Sequence, residues 1–401
     1  MSKKIIFCAD GTWNGPEEKT GVSVTDSKDS SGEVEASGIT NVAKLFTNLS
    51  GSVTAETLAL HNEQEKIFVG EGGNTRQIAK YVHGVGDSSN AVIKLLGGAF
   101  GMGVIGRIVR GYTFISRHYV PGDEIHIIGF SRGAYTARAL AAMIAKVGLL
   151  NPQTYDPNDK SQSYRLGIAA WAKSKNVSLQ GAGKLTDLAT HMLNFVQSFV
   201  AKQLPDNGLI PEVPMKSVAV WDTVGSMGIP VYAGDTRFDV FRFADEKLSN
   251  KVEYGFHAMA IDEIRRDFPV TRWDDRAKIE QVWFVGAHSD VGGGYAVTES
   301  RLSDISLSWM TKKLSDIGID FVNPLVHIPQ GKAYGQAVHT PWEKFPFSSF
   351  PTTARLVNGG DVLHQTAVLR WQEDSAYRPK SMANATTQGI DGFKLDDARY
   401  L

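Results

Sequence analysis

The chain has 401 residues, a formal net charge of −1 at pH 7, 42% hydrophobic residues and 21% charged residues. This composition is that of a globular protein, and the balanced charge excludes a strongly basic nucleic-acid-binding chain. The only cysteine, Cys8, has no partner for an internal disulfide, so we expect a fold that does not depend on an oxidising compartment.

The N-terminal segment predicts a first β-strand and no targeting signal. Lys4–Ala9 is a short apolar run that Asp10 interrupts, whereas a signal peptide needs a longer run. No apolar stretch reaches the ~20 residues that span a bilayer, and the longest candidate, residues 95–106, can at most contact a membrane interface. We therefore expect a chain that is cytoplasmic as synthesised, or one that is exported into a target cell without a signal peptide.

Strand-like and helix-like runs alternate along the chain. Apolar runs predict short, fully buried strands at Lys4–Ala9, Lys66–Val69, Glu124–Phe130, Ser217–Trp221 and Gln281–Val285. Helices are predicted at Gln77–Tyr81, Val104–Tyr119, Ala134–Val147 and Tyr254–Asp267. This alternation predicts an α/β fold, with a mainly parallel sheet and helices on both of its faces.

Three segments depart from this alternation. Residues 15–38 are polar and predict a long surface loop. Residues 151–214 predict a cap-like insertion, whose amphipathic helix near residues 185–204 either covers the site or packs on the body of the protein. Residues 321–401 are rich in proline and predict a loop-rich C-terminal wrap. We expect residues 1–401 to form a single domain that includes these additions.

The most informative motif is Gly129-Phe130-Ser131-Arg132-Gly133, which follows an apolar strand and opens a helical stretch. This G-x-S-x-G pattern between strand and helix is the context in which α/β-hydrolases expose a nucleophilic serine. Because the two glycines lack Cβ atoms, strand and helix can approach closely while Ser131 takes a positive φ. The motif therefore predicts that Ser131 is a catalytic nucleophile, with an incidental glycine turn as the alternative.

Two later strands end in residues that can activate a serine. Asp222 follows one apolar strand and His288 follows another, and catalytic groups gather at the carboxyl edge of an open α/β sheet. The order serine, aspartate, histidine is that of α/β-hydrolases, with the histidine as base and the aspartate orienting it. The rival histidine is His364, late in the chain. Asp290 is too near His288 in sequence to orient it, so we expect it to fix the loop or bind a metal.

The end of the first strand is a second candidate for substrate contact. Asp10, Gly11 and Thr12 are small or polar residues at a strand terminus. A backbone N–H there, together with the N–H of Arg132, can bind the oxyanion of a tetrahedral intermediate. Equally, Asp10 can accept a hydrogen bond from its own backbone in an Asx-type turn.

The run Gly101-Met102-Gly103-Val104-Ile105-Gly106 matches the dinucleotide-binding pattern G-x-G-x-x-G. A single match without a preceding strand and a βαβ unit is weak. We interpret this run instead as a flexible apolar loop beside the active site.

Taken together, these motifs give the chain a family resemblance. It resembles the α/β-hydrolase family that includes the type VI secretion phospholipase effectors of the first lipase family. The matching motifs keep their order and lie at Cys8–Asn14, His83–Gly86, Gly129–Arg138, Trp221–Gly225, Ala260–Arg265 and Ala287–Tyr295, with a further family segment at Leu363–Arg370. The resemblance implies an α/β-hydrolase fold, a triad at Ser131, Asp222 and His288, and cleavage of glycerophospholipid acyl esters.

The leading hypothesis is a serine esterase or lipase that cleaves acyl esters, with phospholipids as expected substrates and without cofactor or metal. One alternative is a non-catalytic binding or toxin-assembly module that keeps a hydrolase shell. Another is metal-assisted hydrolysis by Asp10, Asp222, His288 and Asp290. The expected partners are a lipid or other acyl ester, a membrane surface contacted peripherally, and an immunity protein or secretion spike. Nucleic acid is not expected.

Overall fold

A computed structural model describes residues 2–11, 38–60, 62–84, 100–174, 204–224, 247–329, 331–344, 347–349, 351–383 and 390–396. Within these ranges the chain forms one ten-stranded sheet, one two-stranded sheet and helices on both faces of the large sheet. The predicted polar loop at residues 15–38 and the amphipathic helix near residues 185–204 lie almost entirely outside the described residues.

The strands are β1 (Lys4–Ala9), β2 (Ser52–Val53), β3 (Glu63–Val69), β4 (Thr75–Val82), β5 (Glu124–Phe130), β6 (Leu149–Leu150), β7 (Leu209–Ile210), β8 (Met215–Trp221), β9 (Val252–Ala260), β10 (Ile279–Phe284), β11 (Val362–His364) and β12 (Lys394–Asp396). The order in the large sheet is β12-β11-β10-β9-β8-β5-β1-β4-β3-β2, and β6 pairs with β7. All neighbours from β12 to β4 are parallel, whereas β3 and β2 form an antiparallel edge.

The helices are α1 (Asn41–Asn48), α2 (Ala55–Leu58), α3 (Phe100–His118), α4 (Arg132–Val147), α5 (Lys160–Ser174), α6 (His288–Gly292), α7 (Arg301–Asp316) and α8 (Gln365–Glu373). The apolar residues of β1 divide the core between the two faces. Ile5 and Phe7 pack in the core that contains α3, α4 and α5, whereas Ile6 and Cys8 pack in the core that contains α1 and α7. The predicted arrangement, a mainly parallel sheet with helices on both faces, is confirmed.

Two predicted helices are wrong. Gln77–Tyr81 belongs to β4, and the first half of Tyr254–Asp267 belongs to β9, with no helix in the second half. The first run contains the helix formers Ala79 and Lys80 and the second contains Ala258 and Met259. Each strand nevertheless pairs with neighbours on both sides, and this tertiary pairing overrides local propensity. The strand at Lys66–Val69 was expected to be fully buried, yet it lies in β3, which is antiparallel and partly exposed.

The interpretation of Gly101–Gly106 as a flexible loop is also wrong, because this run lies in α3. Gly111 of this helix serves close packing. A Cβ at Gly111 would lie 2.7 Å from Leu140 Cδ2 and 2.7 Å from the Phe7 ring, so only glycine lets α3 approach α4 and β1 this closely.

The two predicted additions contain regular structure where they are described. In residues 151–214, α5 packs against α3 and α4. In residues 321–401, β11 and β12 extend the large sheet and α8 follows β11 directly. No helix within the described ranges has both the length and the apolar character needed to cross a membrane.

Candidate active site

Ser131 lies in a strained turn between β5 and α4. Its φ is 56° and its ψ is −122°, which is the positive φ predicted for a nucleophile elbow. The flanking glycines are required sterically, since a Cβ at Gly129 would lie 2.4 Å from the carbonyl oxygen of Gly133. A Cβ at Gly133 would lie 2.1 Å from the carbonyl oxygen of Ala9. The local sequence thus presents the hydroxyl at the carboxyl edge of the sheet.

The structure brings Ser131, His288 and Asp222 together as a hydrogen-bonded chain. The Nε2 atom of His288 lies 2.8 Å from Ser131 Oγ, and its Nδ1 atom lies 2.6 Å from Asp222 Oδ2. Asp222 directly follows β8 and His288 begins α6 after β10, so all three residues stand at the same edge. In this arrangement Nδ1–H donates to the carboxylate, and Nε2 is left to accept the serine proton.

The carboxylate of Asp222 is fully buried, and it accepts hydrogen bonds from other groups in addition to the one from His288. Arg355 binds it in a bidentate manner, with Nη1 2.6 Å from Oδ1 and Nη2 2.9 Å from Oδ2. The backbone N–H of Ala260 donates to Oδ1 at 2.9 Å. Burial opposes ionisation, but Arg355 and His288 outweigh it and hold the pKa of Asp222 well below its usual value. The carboxylate is therefore ionised at neutral pH.

The His288 imidazole is enclosed by aromatic rings. The ring centroids of Phe130 and Phe268 lie 4.7 Å and 5.1 Å from that of the imidazole. Burial lowers the pKa of His288 below its ordinary value, although the hydrogen bond to Asp222 acts in the opposite direction. Glu263 accepts a 3.2 Å hydrogen bond from the His288 N–H and is itself paired with Arg265. A neutral imidazole next to a hydroxyl is what a general base requires.

Sequence comparison identifies the family. The sequence model of the family described as "T6SS, Phospholipase effector Tle1-like, catalytic domain" matches residues 3–313. The chain belongs to this family. The strand order, the elbow and this membership identify an α/β-hydrolase fold, as predicted. Ser131, Asp222 and His288 lie inside the matched residues of the Tle1-like chain, whereas Arg355 lies beyond them.

Individual relatives of the Tle1-like chain are longer than the chain itself. It is 37% identical over 281 residues to an uncharacterized protein of Saccharomyces cerevisiae, a match that covers 66% of this chain and 32% of the yeast protein. An uncharacterized protein from Pseudomonas aeruginosa has a crystal structure that is similar with a TM-score of 0.38 and 15% identity, over 84% of this chain and 49% of that one. The structure of the Tle1 effector bound to the VgrG spike is similar with a TM-score of 0.36 and 18% identity. This match covers 75% of this chain and 53% of the effector chain. The chain thus spans about a third of the yeast relative's length and about half of each solved chain.

Two of the candidates that follow the first strand, Asp10 and Gly11, are hydrogen-bonded to each other. The N–H of Gly11 donates to Asp10 Oδ1 at 2.6 Å, which is the Asx-type alternative and directs this N–H at the carboxylate. Asp10 is buried, its pKa is raised by burial, and it also accepts hydrogen bonds from Thr40 and Tyr81. Thr12 lies outside the described residues.

Arg132, the residue after the serine, is the first residue of α4. Its backbone N–H belongs to the first turn of this helix, where N–H groups have no intrahelical acceptor and the helix dipole favours negative charge. Burial, together with the positive charge of Arg107, lowers the pKa of the Arg132 side chain to about 9. The N–H of Arg132 thus lies at the positive end of the dipole of α4, directly after Ser131 in the sequence.

The two rival residues have structural contacts of their own. Asp290 accepts from the N–H of Ala287 at 2.9 Å and pairs with His339 Nδ1 at 2.6 Å, so it fixes the loop, one of its two expected roles. His364 caps α8 and stacks on Phe284 with centroids 4.6 Å apart, and the histidine bonded to Ser131 is His288. Across the described ranges, no three His, Cys, Asp or Glu side chains are grouped to hold a metal ion.

Proposed function

We propose that this chain is a serine hydrolase of acyl esters, with phospholipids as its substrates. The observation that carries the proposal is the hydrogen-bonded chain from Ser131 through His288 to Asp222. A serine hydroxyl is a weak nucleophile until a base accepts its proton. Here His288 would be that base, and Asp222 would be the acid that orients it. The substrate class is taken from the description of the family as phospholipase effectors.

The reaction would proceed in two halves. His288 Nε2 takes the proton of Ser131 as Oγ attacks the ester carbonyl carbon, and Asp222 stabilises the imidazolium that forms. The N–H of Arg132 binds the oxyanion, and His288 then gives its proton to the departing alcohol, which leaves an acyl-serine. Water, deprotonated by His288, attacks this acyl group, and the proton returns to Ser131 as the fatty acid leaves.

The test compares Ser131→Ala with Ser161→Ala, a change at an exposed serine outside the site. Ser131→Ala should abolish phospholipid hydrolysis and fluorophosphonate labelling while circular dichroism stays unchanged, and Ser161→Ala should keep both activities. Normal labelling of Ser131→Ala would overturn the proposal.

The same assays separate the alternative functions. A wild-type chain that neither labels nor hydrolyses any ester would be a binding module. Hydrolysis that a chelator removes and added metal restores, and that survives Ser131→Ala, would be metal-assisted.

We further propose that the chain acts in a target cell after delivery and binds a secretion spike, with an immunity protein as antagonist. The support is the family description, which names a type VI secretion effector. Co-purification of the chain with candidate spike proteins, in the presence and absence of competing chain, tests this part independently of the hydrolase assays.

A further inference from the structure

Arg355 reaches the site from residues 321–401, beyond the residues that the family model matches. Its guanidinium binds both oxygens of Asp222 and also donates to the backbone carbonyls of Ala260, at 2.9 Å, and Phe268, at 2.7 Å. The side chain is only 5% exposed. Because two carbonyls and a carboxylate hold the planar fork, its position relative to Asp222 is fixed.

We propose that Arg355 is a positioning residue that orients the Asp222 carboxylate and extends the action of His288 as a base into more acidic solution. This inference rests on the proposed serine hydrolase function. Both Asp222 oxygens are engaged by the fork, so Oδ2 is held facing Nδ1 of His288.

The carboxylate of Asp222 is shared between two cations, the guanidinium of Arg355 and the imidazolium of His288. Ionised Asp222 stabilises the imidazolium of His288, but the guanidinium of Arg355 neutralises part of that negative charge. The imidazole therefore loses its extra proton more readily with Arg355 present than without it. Since only neutral His288 can accept the serine proton, removal of Arg355 should move the acidic limb of the pH profile to higher pH.

Other charged and titratable groups near His288 are already balanced by partners. Glu263 is paired with Arg265, and Asp290 is paired with His339. His257, on β9, accepts a hydrogen bond from the N–H of Thr223, next to Asp222, and burial lowers its pKa to about 3, so it is neutral. Arg355 is thus the cation that contacts the triad carboxylate directly.

The experiment measures kcat/KM against pH for the wild type, Arg355→Met and Arg355→Lys. The control is Arg272→Met, because Arg272 forms an equally bidentate pair with Asp361 away from the triad. Arg355→Met should raise the midpoint of the acidic limb by about one pH unit. It should also lower the plateau of kcat/KM by about 10- to 100-fold, because the carboxylate is no longer oriented. Arg355→Lys should restore the limb but only part of the rate, and Arg272→Met should change neither quantity.

An unchanged acidic limb in a folded Arg355→Met chain would overturn the inference, even if the rate fell. Should Arg355→Met not fold, Arg355→Gln replaces it, because the amide removes the positive charge yet can still donate a hydrogen bond to the buried carboxylate. The acidic limb of its kcat/KM profile should again lie at higher pH than that of the wild type, and an unchanged limb would overturn the inference. A wild type that neither labels nor hydrolyses esters would instead refute the proposed function.

Discussion

The substitution Gly133→Ala tests whether the turn at Ser131 requires a glycine, because helix propensity favours alanine at this position whereas the close contact with Ala9 opposes it. Gly133 is the second residue of α4, and replacing a helical glycine by alanine ordinarily stabilises a protein by about 0.5–1 kcal/mol. Here the new Cβ would lie 2.1 Å from the carbonyl oxygen of Ala9. That distance is about 1.2 Å shorter than the roughly 3.3 Å of a close C–H···O contact. Ala9 cannot retreat, because β1 is paired with β4 on one side and β5 on the other.

We therefore expect Gly133→Ala to lower the free energy of unfolding by about 1–3 kcal/mol, the usual effect of overpacking. A displacement of Ser131 by about 1 Å should also reduce the rate of fluorophosphonate labelling about 100-fold. Urea unfolding followed by tryptophan fluorescence measures the first effect. The control is Gly106→Ala in α3, where the new Cβ would meet only the Tyr164 hydroxyl, at 3.3 Å. A Gly133→Ala chain that is as stable and as reactive as the wild type would refute the reasoning.

Two further predictions concern ion pairs outside the triad. The hydrogen bond to Asp290 raises the pKa of His339 above its ordinary 6.5, so this pair should stabilise the fold below that pH and lose its contribution as the pH rises through the raised value. His339→Gln should thus lower the urea concentration at the midpoint of unfolding more at pH 5.5 than at pH 9. An equal decrease at both pH values would contradict this prediction. Lys44 is fully buried with its Nζ 2.7 Å from Asp304. Lys44→Met should cost about 3 kcal/mol and Lys44→Met/Asp304→Leu clearly less, and equal losses would show that the two charges are not coupled.

The parts of the fold that sequence predicts well are the strands that are buried on both faces. β1, β5, β8 and β10 are largely apolar runs, and each is buried over most of its length. The runs in β4 and β9 predict helices because both contain helix formers, and nothing within either run indicates the neighbouring strands. Their identity is decided by pairing partners that are distant in sequence.

The sequence likewise suggests some residues of the candidate site and not others. The sequence singles out Ser131, Asp222 and His288 as candidates because each follows a buried strand, and parallel strands bring such residues to one edge of the sheet. Arg355 was missed because it lies in an irregular, proline-rich segment, 133 residues beyond the aspartate that it binds. Its neighbours in sequence carry no motif, so only the folded chain reveals the contact.

The place of Arg355 in the chain has a consequence for biosynthesis. Because translation runs from the N-terminus, Ser131, Asp222 and His288 all leave the ribosome before Arg355 does. On our proposal, a nascent chain that has already formed its elbow still lacks the guanidinium that fixes the acid. On the same proposal, this order of synthesis delays full reactivity until Arg355 has emerged, which would protect the membranes of the cell that makes the chain.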